Sequence, residues 1–147
     1  MEKYESKQVQ IFRPAADVYG IMSDFNNFSP LLNDMVEDWQ ADADSCSFTA
    51  KGFTVKLRIE ERRPDELIKI VSDGGPFDFA FWIQMKEVGY AGTRLRLVLH
   101  ADLNMVMKMM VGGRIRDGLD QIAEKLAGSF NAGPDMAAGY FNQGPVS

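Results

Sequence analysis

Seven apolar residues, Met107, Val111, Ile115, Leu119, Ile122, Leu126 and Phe130, follow one another at steps of 4, 4, 4, 3, 4 and 4. That spacing draws one apolar stripe along a helix over 105–130, about 26 residues and roughly 39 Å at 1.5 Å per residue. Lys108, Arg116, Asp117, Asp120, Glu124 and Lys125 fall on its other faces. A helix so long with a single apolar side needs an apolar surface of comparable length to lie on. The chain before it must supply that surface.

From residue 35 to 104 the hydrophobic period is two, the signature of strands with one buried face. Phe53, Val55, Leu57 and Ile59 alternate with Thr54, Lys56, Arg58 and Glu60. Phe77, Phe79, Phe81, Ile83 and Met85 alternate with Asp78, Ala80, Trp82, Gln84 and Lys86. Leu95, Leu97 and Leu99 alternate with Arg94, Arg96, Val98 and His100. Strands are expected over 35–41, 45–51, 53–62, 66–73, 77–88 and 93–103. The breaks at Arg63-Pro64-Asp65, Gly74-Gly75-Pro76 and Gly89-Tyr90-Ala91-Gly92 carry hairpin-turn chemistry. An antiparallel meander follows.

Ahead of it, residues 3–12 read as a further strand, with Val9 and Ile11 in one phase and Tyr4, Gln8 and Gln10 in the other. Pro14 suits a first helical turn, and Val18, Ile21 and Met22 continue a short helix over 14–23. Asp24 or Asn26 can cap a second short helix containing Phe28, Leu31 and Leu32. The resulting order is strand, two short helices, six strands, one long helix. Packing rules then predict an α+β domain: a seven-stranded antiparallel sheet, curved by its own twist around the long C-terminal helix. A long helix and a curved sheet do not meet equally well everywhere, so a cavity between them is expected.

Composition narrows the function. The 147 residues are 46% hydrophobic and 25% charged, ordinary for one globular domain. A net charge of −5 argues against a general nucleic-acid binder. No run approaches the roughly 18 apolar residues of a membrane span, so no stable membrane insertion is expected. MEKYESKQVQ has no apolar signal core. One cysteine, Cys46, makes no internal disulfide; together these predict a cytoplasmic protein. Residues 1–50 hold three basic and nine acidic side chains, with density peaking at Asp34, Glu37, Asp38, Asp42 and Asp44. Such carboxylates can hold a hard cation, but EF-hand order is missing and a solvated hairpin edge is the expected reading.

The segment FRPAADVYGIMSDFNNFSPLL at residues 12–32 and the helix GGRIRDGLDQIAEKLAGSF at residues 112–130 resemble the START-like, or SRPBCC, superfamily. The resemblance spans about residues 3–130. Many relatives carry Trp where this chain has Phe28. The resemblance implies a helix-grip domain over residues 1–130, with residues 131–147 as a tail outside the family pattern. It also implies an apolar ligand, such as a lipid or polyketide, held under the long helix; some members are polyketide cyclases or aromatases. Met136, Tyr140 and Phe141 are anchors by which the tail would dock on its own domain or on a second copy, as in a homodimer.

Read by phase, the expected ligand-binding residues are Val55, Leu57, Phe79, Phe81, Ile83, Leu97 and Leu99 from the sheet, and Met107, Met110, Val111 and Arg114 from the helix. Met105, Met107, Met109 and Met110 suit irregular apolar ligands; core filling is the alternative for Met107 and Met110. Gly112-Gly113 reads as a hinge beside the cavity mouth or as a site of close packing. His100 and Asp102 fall opposite the Leu phase and should face outward. Cys46 has no local cation to favour a thiolate. One His and one Cys do not make a zinc site, and no phosphate-binding or nucleophile motif occurs. No catalytic residue, metal or cofactor is therefore assigned. Binding or transport of a hydrophobic molecule is the leading function. The alternatives are a cyclase or aromatase, which needs His100, Tyr90 or Arg114 to point inward, and an interaction module with a filled core. Magnitude bears on this: burying about 300 Å² of a ligand yields about 7 kcal/mol, and association costs at least about 4 kcal/mol. A small ligand would bind weakly without polar anchors.

Overall fold

A computed structural model describes residues 2–32, 34–50, 52–74, 78–90 and 92–132, with side chains for all of these except residues 105–107 and 109–112. The strands are β1 (Glu2–Glu5), β2 (Val9–Ile11), β3 (Glu37–Ala41), β4 (Ser45–Ala50), β5 (Phe53–Arg63), β6 (Leu67–Ser72), β7 (Phe79–Glu87) and β8 (Thr93–Ala101). The helices are α1 (Ala15–Met22), α2 (Ser29–Leu32) and α3 (Met105–Asn131), with a 3-10 turn over Phe25–Phe28 between the first two. All strands join one antiparallel sheet in the order β1-β8-β7-β6-β5-β4-β3, and β2 also pairs with β8. This is the helix-grip α+β fold.

The sheet has eight strands rather than seven because the first one breaks. Tyr4 lies opposite Leu99 and Val9 opposite Leu95, so five steps on one side match four on the other. The extra residue is absorbed at Ser6, which is buried and bonds Leu97 twice: its N–H donates to Leu97 O (2.8 Å), and its Oγ accepts from Leu97 N (2.9 Å). The bulge reverses the phase of Tyr4. Strict alternation sets Tyr4 apart from Val9 and Ile11, yet all three pack on the inner face.

A second bulge does the same for β5. Ile59 faces Ile70, but Glu61 already faces Lys69 and Arg62 faces Ile68. Arg62 is thereby aimed at the helical layer. It donates to Ser23 O at 2.9 and 3.2 Å, to Ala43 O at 3.2 Å and to Asp44 Oδ1 at 2.7 Å, tying the end of α1 to the β3–β4 hairpin.

The acidic residues of that hairpin have structural work. The Asp42 carboxylate accepts from Asp44 N (2.9 Å), Ser45 N (2.8 Å) and Ser45 Oγ (3.1 Å), and these bonds hold it below the usual carboxylate range. Asp38 sits at φ 55° beside the register shift of β3.

α3 is fastened mainly by its second half. Leu119, Ala123, Leu126, Ala127 and Phe130 are buried. Asp120 Oδ1 accepts from Lys7 N (2.7 Å) and Glu124 pairs with Lys7 Nζ. Asn131 accepts from Phe12 N (2.7 Å) and donates to Gln10 O (2.8 Å). The first half has one such tie among the described residues, Lys108 Nζ to Glu2 at 2.9 Å. The helix runs unbroken through Gly112-Gly113, and a Cβ on Gly113 would meet nothing within 4 Å. Close packing therefore does not explain that glycine.

Candidate functional site: the inner face of the sheet

The inner face is covered unevenly, and the register shows where. At the end of the sheet carrying Glu87 and Thr93, α1 lies over β6 and β7. There Glu87 accepts from Ala15 N at 3.1 Å and Thr93 Oγ1 donates to Arg13 O at 2.7 Å. Ile68, Ile83, Leu95 and Leu97 are 0% exposed and Ile70 is 2% exposed. One or two residues further along the same face, the burial stops. Leu99, Phe81, Phe79, Leu57 and Val55 are all half-buried, as are Phe48 and Trp39 on the neighbouring strands. These positions share the inner phase: Phe81 faces Leu99 and Ile70, and Val55 faces Phe48. These apolar side chains on the inward face are therefore covered less completely than Leu97 and its neighbours.

The residues expected at the site thus divide. Val55, Leu57, Phe79, Phe81 and Leu99 are half-buried. Ile83 and Leu97 belong to the sealed core. Arg114 is exposed on α3, one residue before Ile115, which packs against the core. The side chains of Met107, Met110 and Val111, the other methionines before the glycine pair, Phe77, and residues 133–147 of the tail lie outside the described residues.

Sequence reasoning did not select Trp39, Phe48, Tyr4 and Ile115. Phe48 shares the phase of Cys46, which faces Leu57, so alternation along β4 held its signal. Trp39 stacks on Phe48 with ring centroids 6.1 Å apart and donates its Nε1–H to Ser29 Oγ at 2.6 Å. Tyr4 was hidden by the bulge.

The polar residues singled out in the sequence do not come together on this face among the described residues. His100 points to the outer side, opposite Ala80 and Lys3, with its ring 4.6 Å from that of Trp82. Tyr90 stands fully exposed at the β7–β8 turn. His100, Tyr90 and Arg114 therefore do not assemble an acid–base set on the inner face. Cys46 does face inward, but burial, aided by the charge of Asp42, pushes its thiol up to about 12. It is a neutral hydrophobe at physiological pH. Native protein at pH 8 should resist iodoacetamide that labels the unfolded chain. Since folding favours the neutral thiol, stability is lost as pH climbs from about 9 toward about 12. Urea midpoints at both ends of that window should fall less in Cys46→Ala.

The sequence pattern of the family described as polyketide cyclase / dehydrase and lipid transport matches residues 5–127. The chain belongs to that family. No curated protein sequence matches it. Among solved structures it is similar to a START superfamily protein from Mycobacterium smegmatis (14% identity, TM-score 0.64, 85% of this chain and 96% of that one). It is also similar to norcoclaurine synthase from Thalictrum flavum (13%, 0.69, 86% and 84%) and to the Aha1 dimer from Colwellia psychrerythraea (11%, 0.69, 91% and 99%). At these identities the likeness is one of fold.

Proposed function

We propose that this family member binds a hydrophobic small molecule, a lipid or polyketide-like compound, between the inner face of the sheet and the first half of α3. The supporting observation is the break in burial along β7 and β8, from 0% at Ile83 and Leu97 to half-buried at Phe81 and Leu99. The half-buried side chains there are apolar and aromatic, as the lining of such sites usually is. Carriage of such a compound draws support from the gathering of Phe48, Leu57, Phe79, Phe81 and Leu99 on one face. Arg114, with Met107, Met110 and Val111 on the same half of α3, would border the ligand from above and offer a cation to an acidic head group.

Trp39 is the natural reporter, because it lies against Phe48 on the inner face while Trp82 lies on the outer one. Titration with anilinonaphthalene sulfonate and with oleate should give a saturable emission change that survives Trp82→Phe and disappears in Trp39→Phe. No saturable change and no rise in melting temperature, across these and a set of terpenoid and aromatic polyketide compounds, would overturn the reading.

A further inference from the structure

The outer face of the sheet carries a feature that ligand binding does not use. Lys86 of β7 lies directly opposite Arg94 of β8, and both side chains are exposed. Like charges paired across strands cost stability, and among the described residues neither has an ion-pair or hydrogen-bond partner. Arg96, the next outward residue of β8, donates to Gln84 Oε1 at 2.9 and 3.1 Å, and its guanidinium lies 3.8 Å from Glu5. With Gln8 and Val88 these side chains border a depression of about 470 Å³ lined by three cations, of which Arg96 is paired with Glu5. The chain as a whole carries −5, so this concentration of positive charge is local.

Two exposed aromatic residues belong to the segments next to it in the chain. Phe12, just past β2, is 71% exposed and Tyr90 in the β7–β8 turn is 101% exposed. The turn is closed by Val88 N donating to Gly92 O at 2.9 Å. Gly92 is obligatory there, since a Cβ would sit 2.8 Å from Val88 O and 3.0 Å from Gln10 Nε2. The close seating of Gly92 brings the turn against Gln10, the residue opposite Arg94 on β2. Arginine with exposed Tyr and Phe is the composition of protein contact surfaces, and an arginine fork matches a carboxylate.

From this arrangement we infer that the outer face of β7, β8 and β2 docks a short acidic segment of a partner protein. Carboxylates would meet Lys86, Arg94 and Arg96, and an apolar side chain would meet Tyr90 and Phe12. A flat anionic bilayer fits less well. The same end of the sheet presents Asp65 and Glu66 beside Lys86 around a neighbouring depression, and a plane would press these against lipid phosphates. A peptide laid along β8 avoids them. The surface is on the opposite side of the sheet from the inner recess, so it is independent of whether that recess takes a ligand.

The test is fluorescence anisotropy of the full chain with a labelled peptide of alternating Asp and Glu pairs and single Phe residues. Saturable binding is expected, weakening as NaCl rises from roughly 0.05 to roughly 0.5 M. Lys86→Gln with Arg94→Gln should weaken it at least tenfold, roughly the loss of one or two charge-assisted contacts. Tyr90→Ala should weaken it at every salt concentration. Lys56→Gln with Lys125→Gln, an equal charge change elsewhere, should leave it unchanged. Equal weakening by both double variants would reduce the surface to net charge and overturn the proposal. So would sedimentation with phosphatidylserine vesicles that depends on Lys86 and Arg94 while the peptide fails to bind. Melting temperatures of all variants establish that the fold is retained.

Discussion

Leu97→Ala should lower stability by about 3 kcal/mol, within the 2–5 kcal/mol range for buried Leu truncations. Its side chain is 0% exposed within the core, so truncation removes a fully buried isobutyl group. For a chain of this size the melting temperature should fall by roughly 6–12 °C. The informative partner is Leu99→Ala. Leu99 has the same residue type, the same strand and the same face, two positions away, but it is half-buried beside Phe81. Truncating it removes less area from a packed environment and adds no closed cavity, so its cost should be under half that of Leu97→Ala. Equal costs at the two sites in thermal or urea unfolding would mean that the interior is packed alike along β8, and the recess would be lost as an explanation.

Leu57→Trp should abolish ligand binding while sparing the fold. Leu57 is half-buried on the inner face, between Cys46 on β4 and Ser72 on β6. In a filled core the larger ring would force neighbours off their rotamers at a cost of about 1–3 kcal/mol. In a recess the ring occupies the ligand's place. Displacing a ligand that buries about 300 Å² forfeits about 7 kcal/mol of gross hydrophobic gain. Affinity for anilinonaphthalene sulfonate should therefore fall by at least about 100-fold, with the melting temperature held within a few degrees. A large drop in melting temperature with unchanged affinity would place the ligand elsewhere.

Much of the architecture was legible in the residues. The alternation of Phe79, Phe81, Ile83 and Met85 against Trp82 and Gln84 named the inner face of β7, and the same rule turned His100 outward. The spacing from Ile115 to Phe130 drew the buried side of α3. These signals are readable because burial on one face imposes a period on the chain itself. The misreading of Tyr4, and of one opening strand where there are two, occurs where a bulge changes the count. Nothing near Tyr4 announces that Ser6 absorbs an extra residue, and nothing near Arg62 announces the irregularity between Ile59 and Glu61. A bulge is a property of a pair of strands, so its trace is divided between two distant segments.

The candidate site divided along the same line. Periodicity grouped Ile83 and Leu97 with Phe81 and Leu99 because all four share a face, and a face was all that periodicity could report. Which part of it lies sealed depends on where α1, the 3-10 turn and the second half of α3 come to rest. Those positions are set by Glu87 at the start of α1, by Asp120, Glu124 and Asn131 on α3, and by Arg62 reaching Ser23. By itself, then, the order of the amino acids determined the elements, their inward sides and the helix-grip frame, because each of these is written in short-range spacing. Only the tertiary structure decided which stretch of the inward side is buried most deeply and that Lys86 stands opposite Arg94 on the outer side, because both depend on contacts between residues far apart in the chain.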